Sequence, residues 1–341
     1  MKKINSFTLI ITCLIVLLSV FYFLFNKSNI TKETKFLLGT ICEITVVHED
    51  KNLREKSIEA AYSAVSNIGK EMSIFDENSV LSKINREAFS KAVSLTPNIA
   101  FVLEQSLYFS KFSNGAFDVT AKKLSDLWGF TSGKEYVPAE DEIKKVLTEV
   151  GYKNILISDD GENKKVSFAV NGIELDFGGI AKGYACDLAV QKLKEFGIEN
   201  AMVNIGGNIF ALGNAPGKNG WQIAVRNPRD AEKFAGIVRL KNQAVSTSGD
   251  YEQFFLRGEA RYSHIIDPTT GFPVKGSVAV SVISESAMVS DALSTAFFVL
   301  GLNDTEKIVS KMNSVEVLFY YEKDGEMNDW ASANFDMQKE Y

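Results

Sequence analysis

The sequence predicts an α+β protein in which helices cover mixed β-sheets. Segments with apolar residues at helical spacing recur along the chain, and short runs rich in β-branched and aromatic residues lie between them without strict alternation. Length is the third observation: roughly 310 residues follow an apolar N-terminal run, and no linker or internal repeat divides them. We therefore expect a single domain over residues 36–341.

The individual elements follow from spacing and from residues that favour the ends of helices. Pro138 precedes one helical segment and Gly151 follows it, as expected for a helix between them. The predicted helices are Leu53–Lys70, Ile99–Phe112, Ala139–Val150, Ile180–Phe196, Ala287–Leu300 and Asp304–Met312. The predicted strands are Gly39–Val47, Asn154–Ile157, Lys165–Val170, Ile173–Phe177, Ala201–Ile205, Gln222–Val225, Gly236–Leu240, Val278–Ile283 and Val315–Tyr320.

The N-terminus carries a predicted membrane anchor. Lys2 and Lys3 precede an uncharged apolar run from Phe7 to Phe25, and about 20 helical residues span the roughly 30 Å of a hydrocarbon core. No small-x-small cleavage pattern follows, so we expect residues 1–27 to remain as a signal anchor and residues 28–35 to form a stalk. The two lysines predict a single-pass cell-membrane protein with its large domain on the extracytoplasmic side.

Composition argues against several classes of protein. The formal net charge is −6, and no polybasic tract is present, so nucleic acid is not an expected partner. Outside the predicted anchor the cysteines are Cys42 and Cys186, too few for a disulfide framework and without Cys/His spacing for zinc. The chain has two histidines, His48 and His264, so a catalytic histidine must be one of these.

The segment from Gly178 to Asp187 joins a predicted strand to a predicted helix and contains Lys182. Paired glycines allow close backbone approach, and the first amides of a helix offer unpaired donors at the positive end of its dipole. These features predict an anion site, such as one for phosphate. The spacing matches neither the Walker nor the dinucleotide fingerprint, so an ordinary tight turn is the alternative.

Asp291 and Thr295 are one helical turn apart in a predicted helix, so their side-chain oxygens lie on one face. A carboxylate and a hydroxyl are hard ligands that suit Mg²⁺, which takes one or two protein carboxylates and fills its shell with water and phosphate oxygens. The alternative is a capping Asp beside a Thr that bonds back to its own helix.

His264 opens a segment that runs through Asp267 and Pro268 to Gly271 and has the pattern of a strand end followed by a turn. The histidine can be a base or can orient a ligand, whereas Asp267 has a structural explanation as the cap of the turn. Two further segments, 72–75 and 115–118, combine soft or aromatic side chains with polar ones and are also explained by core packing.

Taken in order, these motifs resemble those of the ApbE-type FAD:protein FMN transferases, over nearly the whole chain after the anchor. The matching segments are Gly39-Thr40, Met72-Ser73-Ile74-Phe75, Gly115-Ala116-Phe117-Asp118 with Trp128 after it, Asp176 to Gly183, Asn204 to Asn208, Thr247-Ser248-Gly249, His264 to Gly271, and Asp291 to Ala296 followed by Gly301.

The resemblance implies a single ApbE-like catalytic domain that uses Mg²⁺, takes FAD as its substrate and moves the FMN part onto a Ser or Thr hydroxyl of another protein, with release of AMP. It implies FAD contacts at Met72, Ala116, Phe117, Asp118, Asp176, Lys182 and Ile266. It implies metal ligands at Asp291 and Thr295, a backbone oxygen at Gly179, and Ser294 close by. His264 and Asp291 are the candidates for the catalytic base.

The recipients of this family carry an Asp-x-Ser/Thr-Gly-Ala-Ser/Thr type of signature, which is absent here, so self-modification is not expected. With the large domain outside the membrane, the expected partner is an extracytoplasmic acceptor flavoprotein. Two alternatives stay open. One is a Mg²⁺-dependent FAD pyrophosphatase that yields FMN and AMP, and the other is a membrane-tethered flavin-binding module without turnover.

Overall fold

The computed structural model describes residues 29–339 except 160, 162 and 259. The predicted membrane anchor at residues 1–27 lies outside the described residues. Within them, no helix has the length and the apolar character needed to cross a membrane.

The described chain alternates between groups of strands and groups of helices. The strands are β1 (Ile30–Leu37), β2 (Thr40–Val47), β3 (Val93–Ser94), β4 (Ile155–Asp159), β5 (Lys164–Phe168), β6 (Asn200–Ile205), β7 (Asn208–Leu212), β8 (Trp221–Arg226), β9 (Phe234–Leu240), β10 (Gln243–Gly249), β11 (Phe254–Arg257), β12 (Ala260–Ser263), β13 (Ser277–Ser284), β14 (Glu316–Lys323), β15 (Glu326–Ala331) and β16 (Met337–Lys339). The helices are α1 (Lys51–Met72), α2 (Val80–Glu87), α3 (Pro97–Phe112), α4 (Lys122–Leu127), α5 (Glu140–Leu147), α6 (Ala181–Glu195), α7 (Ala287–Leu300) and α8 (Leu302–Val309).

An eight-stranded sheet in the order β1-β2-β6-β7-β10-β13-β14-β15 forms the centre of the structure. Smaller sheets are β16-β9-β8, β3-β5-β4 and the pair β11-β12. Every strand pairing among the described residues is antiparallel, so the α+β class is confirmed but the sheets are not mixed. The physical reason is that the helices between β2 and β6 leave and re-enter the sheet at the same end.

One face of the large sheet is covered by helices. Cys42, Ile44 and Val46 of β2 point to this face and are fully buried, because α1 packs over them. α1 packs against α6, and α6 packs against α7. Capping side chains fix the helix starts: Asp50 accepts from two backbone amides at the start of α1, and Ser286 does the same for one amide of α7.

The opposite face of the large sheet is covered only in part. The register places Ile209, Val245 and Leu318 on this face, where they pack against Ile223 and Val238 of the small β8–β9 sheet. This cluster reaches β2 at Val47, at the end of the strand, whereas Ile41 near its start and Phe36 of β1 are exposed. β6 and β7 form a tight hairpin. The two strands are joined by Gly206-Gly207, and both glycines have the positive φ that such a turn requires.

The described cysteines Cys42 and Cys186 are free and buried, each with an exposed fraction of 0%. Burial raises the pKa of both thiols, and that of Cys186 lies well above its ordinary value. The sequence predicted that the chain has no disulfide framework, and both described cysteines are indeed free thiols.

Two predicted segments differ from the structure. The predicted stalk includes Ile30 to Lys35, but these residues belong to β1, which pairs along its whole length with β2. The predicted strand at Ile173–Phe177 is extended but joins no sheet. Its backbone bonds go instead to the Asn85 side chain, which bonds both the amide and the carbonyl of Leu175, and to the carbonyl of Val119.

Candidate active site

A cavity of about 350 Å³ lies where the start of α6, the middle of α7 and several loops meet. Its lining combines carboxylates, lysines, hydroxyls and one histidine with a few apolar side chains, the usual makeup of a site for a polar ligand. The lining residues are Ala116, Phe117, Asp118, Val119, Ala121, Lys122, Ser125, Asp176, Gly178, Gly179, Lys182, Gly206, Asn208, Thr247, Ser248, Glu252, His264, Ile265, Ile266, Pro268, Asp291, Thr295 and Val299.

The glycine turn before α6 leaves some of its amides free. The Phe177 carbonyl accepts bonds from the amides of Ile180 and Ala181, so these donors are used inside the turn. In the described part of the chain, the amides of Gly179 and Lys182 have no hydrogen-bond partner. Both residues line the cavity. The predicted anion site therefore has two free donors at the positive end of α6, fewer than a generic helix start would offer.

α6 and α7 cross in close contact at Gly183. A Cβ on Gly183 would lie 2.7 Å from the Cα of Met288, a separation that real Cβ atoms do not adopt. This glycine lets the backbones approach, and its amide donates to Asp291 Oδ2 at 2.9 Å. The carboxylate of α7 is thus fixed to the first turn of α6, next to the glycine turn.

Asp291 is 6% exposed, and burial raises the pKa of its carboxyl. It does not cap α7, because Ser286 has that role, so the capping explanation for Asp291 is wrong. Its Oδ1 has no hydrogen-bond partner in the described part of the chain, and the residue lines the cavity. A buried carboxylate with one free oxygen is unfavourable unless a cation completes the site.

The Thr295 hydroxyl lies beside this carboxylate. Its bond back to the Asp291 carbonyl is long, at 3.4 Å, and Ser248 Oγ lies 3.3 Å from it. A Cβ on Gly179 would be 3.4 Å from Thr295 Oγ1, which puts the glycine turn against this hydroxyl. Ser294 faces away from the cavity: its hydroxyl donates to the Asp291 carbonyl and pairs with Ser248.

These donors fit a hard divalent cation. Asp291 Oδ1, Thr295 Oγ1 and the nearby backbone of Gly179 are oxygen donors of the kind Mg²⁺ prefers, with room left for phosphate oxygens. The described residues contain no cluster of three or more His, Cys, Asp or Glu side chains, so a site built only from protein carboxylates or from zinc-type ligands is not indicated there.

The charge of Lys182 acts on several acidic groups of the cavity. Its Nζ donates to the Gly178 carbonyl at 2.7 Å. Burial raises the pKa of Asp176, Glu252 and Asp291, and the charge of Lys182 partly offsets this increase at each carboxyl. An anionic ligand that enters this cavity therefore meets carboxylates as well as Lys182, and a bound cation would reduce the repulsion.

His264 is poised as a neutral base. Burial lowers its pKa below the ordinary histidine value, and the charge of Lys182 lowers it further. Nδ1 lies 3.1 Å from the Gln253 carbonyl, which can only accept, so Nδ1 carries the proton and Nε2 keeps a free lone pair. The other histidine, His48, does not line the cavity, and its Nδ1 accepts a bond from the Asp50 amide.

The wall opposite α6 and α7 is made of loops. Phe117 packs close to Gly179, and the Asp118 carboxylate accepts from Thr120 and from the Tyr152 amide. Desolvation raises the pKa of Asp118, although these hydrogen bonds oppose the increase. Ile266 belongs to a small aromatic cluster with Trp128, Phe130, Phe255 and Tyr262.

The cavity brings together most of the residues that the sequence pointed to. They are Ala116, Phe117, Asp118, Asp176, Gly179, Lys182, His264, Ile266, Asp291 and Thr295. Two predicted residues are not in the cavity lining. Met72 is the last residue of α1 and is buried in the main core, and Ser294 is buried beneath the helix surface. Their predicted contacts with nucleotide and metal have no support from this geometry.

Sequence reasoning missed several lining residues. Lys122 and Glu252 face the cavity, yet each stands in a segment without a distinctive motif, and Asn208 faces it from the quoted motif that ends at this residue. Asp187 has a structural role instead: its carboxylate accepts from the amides of Ala287 and Met288 and from the Ser286 hydroxyl, so it ties α6 to the start of α7. The Ser248 hydroxyl could have been suspected, because it lies in one of the quoted motifs.

Comparison with known proteins gives a consistent result. The model of the ApbE family matches residues 38–319. The chain is 32% identical over 301 residues to the FAD:protein FMN transferase of Treponema pallidum (strain Nichols), which covers 84% of this chain and 83% of that protein. The crystal structure of the ApbE protein from Thermotoga maritima aligns with a TM-score of 0.80 and 37% identity, over 88% of this chain and 96% of that chain.

The flavin transferase ApbE from Vibrio cholerae also aligns with a TM-score of 0.80, at 28% identity over 91% of this chain and 99% of that chain. The family match covers more than half of the chain. The protein described here is therefore a member of the ApbE family.

Proposed function

We propose that this protein transfers the FMN part of FAD, in a Mg²⁺-dependent reaction, onto a Ser or Thr hydroxyl of an acceptor protein, with release of AMP. The observation that carries the proposal is the position of the Asp291 carboxylate, which is bonded to the first turn of α6 with one oxygen free toward the cavity. The name shared by several relatives, FAD:protein FMN transferase, supports the same activity.

The reaction exchanges the phosphoanhydride bond of FAD for a phosphoester bond to the acceptor. The acceptor oxygen attacks the phosphorus of the FMN phosphate, the bond from that phosphorus to the bridging oxygen breaks, and AMP leaves with the bridging oxygen. The hydroxyl proton goes to a base. Mg²⁺ bound at Asp291, Thr295 and the Gly179 carbonyl would supply positive charge as negative charge develops on the leaving phosphate.

The residues of the chain have distinct parts in this scheme. The free amides of Gly179 and Lys182 and the Lys182 ammonium group attract and orient the diphosphate. His264 Nε2, with its lone pair free, accepts the proton of the attacking hydroxyl. Phe117 and Ile266 are apolar surfaces that exclude water from one side of the cavity and suit a flat ring.

The place of the reaction in the cell is part of the proposal. The apolar run at residues 7–25 supports a single-pass anchor in the cell membrane, with the cavity on the extracytoplasmic side and an extracytoplasmic flavoprotein as acceptor. Labelling of intact cells with a membrane-impermeant reagent tests this placement, because the exposed lysines of the domain should react without cell lysis.

The central test is the variant Asp291→Asn, which keeps the shape of the side chain and removes its charge. Outer-shell partners of metal ligands typically contribute 10–100-fold to activity, so loss of a direct ligand should reduce transfer of FMN to an acceptor peptide at least about 100-fold. Asp304→Asn, an exposed carboxylate in α8, is the matched control and should retain activity. Unchanged transfer by Asp291→Asn would refute the metal role.

The same assay separates the alternatives. Incubation with FAD and Mg²⁺ but without acceptor should leave FAD intact if transfer is the reaction. Free FMN and AMP in that sample would favour a pyrophosphatase. Intact FAD in all samples, with no flavin on the peptide, would favour a binding module.

A further inference from the structure

A second cavity of about 300 Å³ adjoins the first. Three residues, Gly206, Thr247 and Glu252, line both cavities, so the two are neighbours with a common border. The lining of the second cavity is Gly206, Gly207, Ile209, Ile223, Ala224, Val225, Arg226, Val245, Thr247, Tyr251 and Glu252. It lies between the large sheet and β8, on the face of the sheet that helices do not cover.

Arg226 is the cation among the described residues of this lining. Its guanidinium lies over the Tyr251 ring, 4.9 Å from the ring centroid, and it has no ion pair or hydrogen bond in the described part of the chain. Arg229 differs, because it holds Asp250 with two hydrogen bonds of 2.6 and 2.8 Å. The stacking on Tyr251 holds the Arg226 guanidinium in place at the cavity, where it can receive a carboxylate.

The shape of this region suits an extended polypeptide. The Gly206-Gly207 turn is open on its outer side, since a Cβ on Gly207 would meet no atom within 4 Å. Ile41 lies next to this turn: its carbonyl accepts a bond from the Gly206 amide. Ile41 and its cross-strand partner Phe36 are 63% and 73% exposed. The uncovered sheet surface therefore continues the second cavity toward β1.

We propose that the second cavity binds the segment of the acceptor protein next to its modified hydroxyl, and that Arg226 selects acceptors with a carboxylate in that segment. This inference rests on the function proposed above. It assigns the free amides and Lys182 in the first cavity to the diphosphate. It assigns the second cavity to a peptide, because its lining is largely apolar and presents Arg226 next to the shared border at Glu252. The shared border at Thr247 and Glu252 is where the acceptor hydroxyl would reach the phosphate.

The test compares the full-length wild-type protein with Arg226→Ala, Arg226→Lys and Arg226→Glu. Arg239→Ala is the matched control, because Arg239 is an exposed arginine of β9 that lines neither cavity. The probes are synthetic peptides with one threonine and a single Asp, Asn or Lys scanned through the flanking positions. The readouts are KM and kcat for FMN transfer to the peptide and the dissociation constant for FAD.

We expect the wild-type protein to prefer the Asp peptide at one or more positions. Arg226→Ala should raise KM for that peptide about tenfold with little change in kcat and in FAD affinity, because the lost interaction concerns the acceptor alone. Arg226→Lys should retain part of the preference, and Arg226→Glu should shift it to the Lys peptide. Arg239→Ala should behave like the wild-type protein.

The outcomes separate this inference from the function on which it rests. Absence of transfer to every peptide by the wild-type protein would refute the proposed function. Transfer by the wild-type protein with equal KM for Arg226→Ala and Arg239→Ala would refute only the role of the second cavity. A loss of FAD affinity in Arg226→Ala, with peptide preference unchanged, would assign the second cavity to the dinucleotide and overturn the inference.

Discussion

The two walls of the main cavity are built in different ways. The wall from α6 and α7 is held by regular structure, with the Gly183 amide bonded to Asp291 and the two helices in close contact. The opposite wall consists of loops that are held by side chains: Trp128 Nε1 donates to the Gly271 carbonyl at 2.8 Å, and Gln253 donates to the Phe130 carbonyl at 2.8 Å.

This difference matches the chemistry proposed for each wall. The groups that would hold the metal and the diphosphate need fixed positions, and two packed helices provide them. His264 belongs to the loop wall, where its backbone amide and its ring both contact the Gln253 carbonyl. In the proposed reaction a base must approach a hydroxyl that arrives with another protein, and a loop allows small adjustments that a helix crossing does not.

The largest expected effect concerns the loop wall. His264→Gln removes the proposed base and should lower kcat for FMN transfer by about 10²- to 10⁴-fold, the range typical of general bases, with little change in FAD affinity. The checks are transfer kinetics and FAD titration. Loss of FAD binding with an unchanged kcat would assign His264 to the substrate and remove the division of roles between the walls.

The pH dependence of the same reaction gives a finer test. Because the pKa of His264 is below the ordinary histidine value, the base form should persist below pH ~6.5, and kcat/KM should fall only at more acidic pH. Lys182→Gln removes a charge that lowers this pKa, so it should move the acidic limb to higher pH. A limb that stays in place would show that the two walls are not coupled electrostatically.

A smaller effect concerns the helix wall and compares two helical glycines. Gly183→Ala forces a Cβ against α7 and should destabilise the protein by about 1–3 kcal/mol, as overpacking commonly does. Gly69→Ala in α1 places its Cβ 3.4 Å from Leu38, an acceptable contact, and should be neutral or stabilising by up to about 1 kcal/mol through helix propensity. Urea denaturation measures both.

If the two glycine variants had equal stability, the crossing of α6 and α7 would tolerate extra volume, and the contrast between a rigid and an adaptable wall would not hold. The proposed Mg²⁺ requirement adds a second readout. Gly183→Ala should also raise the Mg²⁺ concentration needed for half-maximal transfer, because the same backbone positions the Asp291 carboxylate.

The smallest expected effect is on the pH dependence of the free energy of unfolding, measured without FAD and Mg²⁺. The pKa of Asp176 is raised by burial, so the folded protein binds this proton more tightly than the unfolded chain, and its stability falls as pH rises from about 4 through the raised pKa. Asp176→Asn should therefore be more stable than wild type at pH 7 and not at pH 4. Denaturation curves at both pH values, without FAD and Mg²⁺, measure this, and equal curves would contradict it.

Local patterns predicted much of the fold because they act over short distances. The helical spacing of 287–300 and the Ser286 cap agree with α7, and the apolar runs of β6, β8, β13 and β14 lie in sheets. β1 was missed because it is an edge strand without a buried residue, so its sequence carries no regular apolar alternation. The segment at Ile173–Phe177 is buried like a strand, but its partners are Asn85 and Val119, which no local pattern reveals.

The candidate site also contains some residues that local sequence patterns predict and others that they do not. Asp291, Thr295 and the glycine turn could be predicted, because one helical period and one turn define them. Glu252 and Arg226 could not, because each faces a cavity only through the way that distant strands and loops pack. Met72 was predicted from the family motif as a contact of FAD, yet its side chain at the end of α1 is buried in the main core.

The buried thiols of the sheet and of α6 have a practical consequence. A thiol that is shielded from solvent and kept protonated reacts with alkylating reagents only when its surroundings open. Peptide mapping after brief alkylation therefore reports separately on the opening of β2, through Cys42, and of the helix that begins at the glycine turn, through Cys186. The protein carries its own pair of probes for measuring whether a bound dinucleotide closes that helix against its neighbours.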